Sequence, residues 1–178
     1  RENANDAMIK AVFFDFYSTL VSFDPPREEL QAVACREFGM EVDRKAIPRG
    51  YWFADDFMSR ENARSPIHKR SQADELAFWS DYEGIILREA GVDISKELAL
   101  RIFTRARHLD RKLVLFDDAL PVIHTLRGRG IVLGLVSNLS RALDGHVKEL
   151  GLTPYLDFAL TSSEIGAEKP HPPIFLAA

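Results

Sequence analysis

The stretch VFFDFYSTLVSF, residues 12–23, runs large apolar side chains into a lone aspartate, Asp15, with Tyr17, Ser18 and Thr19 directly behind it. From Ile9 onward, IKAVFFDF is β-branched and aromatic, with no solvent-facing alternation. That pattern predicts a strand buried on both faces, as in a parallel sheet covered by helices. Asp15 then stands at the carboxyl end of the strand, the rim at which open α/β sheets bind ligands.

Beyond this strand the character of the chain changes. DPPREELQAVACREFG predicts a helix, with Leu30, Val33, Ala34 and Phe38 at helical spacing and a stop at Gly39. ADELAFWSDYEGIILREAG predicts another, with Leu76, Trp79, Tyr82, Ile85 and Ile86 on one face and an end at Gly91. ISKELALRIFTRARHL follows a cap signal at Asp93 and Ser95. Residues 24–110 thus form a helical block with no strand. The alternation then resumes as a helix over 117–130, a buried strand over 131–137, a helix over 141–151, a strand over 156–162 and a helix opening at PHPPIF. The fold class is α/β: a parallel sheet with helices on both faces, 9–23 and 111–178, interrupted by an α-helical insert, 24–110. Residues 1–8, ahead of the repeating pattern, are set aside as a disordered lead or tag.

Composition narrows the function classes. The 178 residues are 46% hydrophobic with net charge −4, enough for one good core. Mild acidity, with no basic run longer than HKR at 68–70, argues against a nucleic-acid surface and leaves that cluster as a solvated loop. Cys35 is the single cysteine, expected as a small hydrophobe on a helix face, which fits a reducing cytoplasm. No apolar run approaches the roughly 20 residues of a membrane span.

Three strands end in chemistry-bearing residues: Asp15 with Thr19, then Ser137 with Asn138, then Lys169 in TSSEIGAEKPHPPIF. A parallel sheet brings such ends to one rim. A carboxylate, a hydroxyl and amide pair, and an ammonium together suit covalent catalysis on a small anionic substrate. The aspartate attacks, hydroxyl and N–H groups hold the transferred group, and the lysine offsets negative charge. Each taken singly has a plainer reading, as a turn, a helix cap or a loop.

DFYST, LGLVSN and GAEKPHPPIF in this order resemble the motifs of the haloacid dehalogenase-like (HAD) hydrolase superfamily, in the subgroup with a helical cap inserted after the first motif. The resemblance runs from Ile9 to the last residue. It implies a Rossmann-like core, with Asp15 as the nucleophile of an aspartyl intermediate and Thr19 orienting it. Ser137 would bind the transferred group, Asn138, Tyr17 and Ser18 would shape the substrate pocket, and Lys169 would pair with Asp15 and the bound anion. The helical block would be the cap that excludes water.

Two departures from the family pattern bear on the substrate. Tyr17 stands where phosphatase members carry a second aspartate as general acid, and a phenol with a pKa near 10 is a poor proton donor at neutral pH. Halide needs no such proton, and 2-haloacid dehalogenases of the family carry tyrosine here. Arg27, Arg44 and Arg49 are the candidates for holding a haloacid carboxylate. Ser18 replaces the usual glycine. The second departure is that residues 1–178 end at PIFLAA, before the family's last acidic motif. Asp15 and the Tyr17 carbonyl are then the ligands left for Mg²⁺, which a phosphatase would use and a dehalogenase would not. Glu164 and Glu168 are expected as exposed loop residues.

The expected function is phosphomonoester hydrolysis. 2-Haloacid dehalogenation is the first alternative and a catalytically inactive scaffold the second. Because the family's missing strand lies beside the first one, AVFFDF is also expected to present an uncovered apolar edge, which a second copy, a swapped partner or a continuation of the parent chain beyond residue 178 would cover.

Overall fold

In the computed structural model, residues 9–139 and 143–178 are described, the side chain of His68 excepted. The proposed lead at 1–8 lies outside them. The chain forms two compact units: an α/β unit, made of the described residues up to Asp24 together with Lys112–Ala178, and a helical unit, Pro25–Arg111.

The α/β unit contains a three-stranded parallel sheet of β1 (Ala11–Phe14), β4 (Val132–Ser137) and β5 (Phe158–Thr161), in the order β1-β4-β5. Leu133 and Leu135 of β4 are fully buried in one core with Phe16, Leu20, Val21 and Ile123, and Val136 is buried as well. Gly134 lets the ring of Phe158 lie directly against β4, since a Cβ there would meet the ring at 2.1 Å. Two short helices follow β4 and β5, α6 (Leu143–Glu149) and α7 (Ser162–Ile165). The last element is α8 (Pro172–Ala177), whose early prolines occupy the first turn, where no N–H is needed.

The first strand is an edge, as the resemblance implies, but it is not buried on both faces. Among the described residues β1 pairs with β4 alone, so β4, not β1, is the central strand. Ala11 and Phe13 of β1 are exposed, Phe13 at 45%. The apolar run that reads as doubly buried is thus an edge here, with Phe13 resting edge-on against Phe158 at 5.3 Å.

A second sheet is absent from the sequence reading. β2 (Val21–Asp24) and β3 (Lys112–Leu115) pair antiparallel, from Val21 opposite Leu115 to Asp24 opposite Lys112. This ribbon joins the two chain positions between which the helical unit is inserted. The helix after it is α5 (Ala119–Gly128).

The helical unit is built of α1 (Arg27–Glu37), α2 (Ile47–Arg64), α3 (Gln72–Glu89) and α4 (Lys96–Arg107). Ser95 caps α4 by accepting from the Leu98 N–H, and Ser71 caps α3 by accepting from Asp74 N–H. Gly39 and Gly91, both at positive φ, close α1 and α3. The buried face of α3 is set by Phe78, Tyr82 and Ile86, whereas the expected Leu76 is 44% exposed, burial of the helix beginning only at Phe78. Arg70 is not a solvated loop residue: its guanidinium donates to the carbonyls of Glu61 and Ser65 and lies over the Phe78 ring.

Candidate active site

The site is assembled at the carboxyl ends of β1 and β4. With Phe14 opposite Leu135, the register carried on by one residue sets Asp15 beside Val136. After Asp15 the chain turns sharply. Phe16 is buried, and its carbonyl accepts from the N–H groups of Leu20 and Val21, while the Ser18 N–H donates to the Val21 carbonyl at 2.8 Å. This tight loop forces Ser18 to φ 61°, the left-handed region in which glycine is at ease and serine is not. The glycine expected at this position therefore has a geometric reason.

Lys169, distant in sequence, completes the constellation. Its ammonium donates to Asp15 Oδ1 at 2.6 Å and to the Val136 carbonyl at 2.8 Å. The lysine thus spans the ends of the two neighbouring strands. The Asn138 side chain meets the lysine's main chain, accepting from Lys169 N–H at 2.7 Å and donating to the Lys169 carbonyl at 3.0 Å. Ser137, 2% exposed, ends β4 with Thr161 of β5 as its register partner.

The structure therefore brings Asp15, Ser137, Asn138 and Lys169 to one rim. Thr19 is exposed on the turn and forms no hydrogen bond to Asp15 among the described residues. The ring of Tyr17 is half-buried and packs 4.9 Å from Phe23. The three arginines expected to hold a substrate carboxylate each face a carboxylate within the helical unit: Arg27 with Asp55, Arg44 with Glu29 and Arg49 with Glu89. Glu164 is a capping residue of α7, not a loop carboxylate: it accepts from the N–H and hydroxyl of Thr161, forming a capping box.

The donor chemistry can be tested against Mg²⁺. Among the described residues no group of three or more His, Cys, Asp or Glu side chains converges. Asp15 and the Tyr17 carbonyl are two donors, and one Asp15 oxygen already accepts from an ammonium. Mg²⁺ demands six near-octahedral oxygens. The residues present do not by themselves make a Mg²⁺ site.

Sequence reasoning missed a polar network inside the helical unit. Glu83, 1% exposed, accepts from Gln31 Nε2, and the Tyr51 hydroxyl donates to Gln31 Oε1 at 3.0 Å. Burial pushes the Glu83 carboxyl up to about 8, with the Gln31 hydrogen bond acting in the opposite direction. Nearby, the Tyr82 hydroxyl donates to Asp55 at 2.6 Å, and burial beside that carboxylate keeps the phenol protonated. No periodicity rule marks a buried glutamate, since charged residues are expected outside.

A family model described as haloacid dehalogenase-like hydrolase matches residues 9–178. The human haloacid dehalogenase-like hydrolase domain-containing protein 3 is 28% identical over 98% of this chain and 70% of its own length. The ribulose-1,5-bisphosphate 5-phosphatase of Halopiger xanaduensis is 27% identical over 92% of this chain and 67% of its own. Among solved structures, the L-2-haloacid dehalogenase RSc1362 superposes with a TM-score of 0.57 at 19% identity, covering 96% of this chain and 71% of that one, which is a likeness of fold. With the motifs, the parallel sheet and a model match over nearly its whole length in agreement, the chain belongs to the haloacid dehalogenase-like hydrolase family.

Proposed function

We propose that this hydrolase cleaves a small phosphomonoester by covalent catalysis through Asp15. The observation that carries the reading is the pairing of Lys169 Nζ with Asp15 Oδ1 at 2.6 Å and the Val136 carbonyl at 2.8 Å. That pairing fixes one carboxylate oxygen and leaves Oδ2 to attack. Attack of Oδ2 on phosphorus forms a new O–P bond and breaks the ester P–O bond, and the leaving alkoxide takes a proton from solvent water to depart as the alcohol. Water then cleaves the aspartyl phosphate, restoring the carboxylate and releasing inorganic phosphate. Throughout, the ammonium offsets charge accumulating on the carboxylate and the phosphoryl oxygens, and the Ser137 hydroxyl donates to one of those oxygens.

The phosphatase name of the Halopiger relative supports a sugar phosphate as the kind of substrate. Mg²⁺ accompanies this activity in the family, and Asp15 and the Tyr17 carbonyl are the two donors the described residues would offer it. No helix among the described residues is long and apolar enough to cross a membrane, and the buried thiol of Cys35 fits action in the cytoplasm. Phosphate release from a panel of small sugar phosphates tests the reading. Turnover that disappears in Asp15→Asn supports it, and turnover that survives the substitution overturns it.

Tyr17 favours a second reading, 2-haloacid dehalogenation. Its ring packs against Phe23, a phenol is a poor proton donor at neutral pH, and displacement of halide from carbon needs no proton donor. Chloride release from 2-chloropropionate without added metal, and no phosphate release, would replace the first reading with this one.

Assembly belongs to the same proposal. The outer side of β1 has no strand partner among the described residues, and Phe13 is 45% exposed there. A second copy pairing along this edge covers both. Light scattering on residues 1–178 should give a dimer mass at micromolar concentration, and a constant monomer mass removes the proposal.

A further inference from the structure

We infer that Asn138 is a positioning residue that acts through Lys169 and does not touch the substrate. Its side-chain amide is committed to both main-chain groups of that one residue, accepting from the N–H at 2.7 Å and donating to the carbonyl at 3.0 Å. The orientation of the amide is fixed by its partners, because a main-chain N–H only donates and a carbonyl only accepts. Two residues earlier on the same strand end, the Val136 carbonyl takes the lysine's ammonium at 2.8 Å. One strand terminus, residues 136–138, therefore grips Lys169 at both ends, the main chain through Asn138 and the side-chain tip through Val136. The ammonium's second hydrogen bond goes to Asp15 Oδ1 at 2.6 Å.

The clamp has a physical purpose. Lys169 sits in the loop between α7 and α8, joined to the sheet by no ladder hydrogen bond of its own. A lysine on a loop of this kind has four rotatable side-chain bonds and a mobile anchor. Holding the anchor against β4 shortens the list of places its Nζ can occupy and keeps the ammonium on the nucleophile. Asn138 itself is exposed, so burial does not account for its arrangement.

The catalytic part of this inference rests on the hydrolase reading above, but its structural part can be measured without turnover. Acetylation of lysines by N-hydroxysuccinimidyl acetate, followed by peptide mass spectrometry, reports how freely each ammonium is presented. In the wild-type chain Lys169, whose side chain is 22% exposed, should label more slowly than Lys96 and Lys112, at 76% and 71%. In Asn138→Ala the rate at Lys169 should rise several-fold while those two reference lysines stay unchanged, which also shows that the fold is retained. Asn138→Asp keeps the acceptor for the Lys169 N–H but sets an oxygen against the Lys169 carbonyl, and should also raise the rate. With a turnover assay in hand, Asn138→Ala should lower kcat about 10- to 100-fold with little change in KM, as expected for a displaced catalytic group. Unchanged Lys169 labelling in both variants overturns the inference whether or not the chain is a phosphatase. A raised KM at unchanged kcat overturns it in favour of direct substrate contact.

Discussion

Ser18 shows how much of the site depends on one backbone angle. At φ 61° its side chain pays the left-handed penalty of about 1 kcal/mol or more that glycine avoids. Ser18→Gly should therefore raise the urea midpoint, with a net gain of about 0.5–1 kcal/mol once the greater freedom of the unfolded chain is subtracted. Cys35 makes an opposite case, a reactive group kept inert. Burial pushes its thiol up to about 11, so thiolate is scarce at pH 8. Native protein should leave Ellman's reagent almost unreacted, and one thiol should titrate on unfolding. At this scale the sequence marks Asp15, Ser137 and Lys169 because each follows a strand or falls in a motif. It does not mark what Asn138 serves, since the partner lies 31 residues away in a loop without periodicity.

Among the elements, α2 packs its backbone against α3 at Gly50, where a Cβ would meet the Ile86 carbonyl oxygen at 2.3 Å. Backbone cannot give way as a side-chain tip can, so Gly50→Ala should destabilise the helical unit by about 1–3 kcal/mol in denaturant unfolding. Glu83 on α3 supplies a pH signature for the same unit. Its folded pKa, about 8, lies above the ordinary carboxyl value of 4.5, so the folded form binds the extra proton. That contribution is fully present below the unfolded pKa and is lost as pH rises through about 8. Urea titrations from pH 5 to 9, about the range bracketing this loss, should show stability falling in the wild type and a flatter profile in Glu83→Gln. An identical decline in both would contradict the assignment. Helices marked by a cap or by a terminal glycine, such as α4 with Ser95 and α1 with Gly39, are legible from sequence. The sheet of β2 and β3 is not, because each strand is four residues long and their pairing joins positions separated by the whole helical unit.

For the whole molecule, the order of strand-end residues, Asp15, Ser137 and Lys169, carries the fold because one topology alone brings them together. A parallel sheet with β4 between β1 and β5 sets the first two on adjacent strands, and the loop after β5 returns the third. The edge position of β1 was open to reasoning only through resemblance, since its residues alone read as fully buried. Overall charge and composition constrain partners but say nothing of the site, which rests on an ion pair between residues 154 apart in the chain. Covalent catalysis requires that Asp15 itself becomes modified during turnover. Its most direct test is borohydride trapping during turnover of a sugar phosphate, followed by peptide mass spectrometry. Homoserine at position 15, absent from Asp15→Asn, is the predicted result, and phosphate release with position 15 unmodified would contradict it.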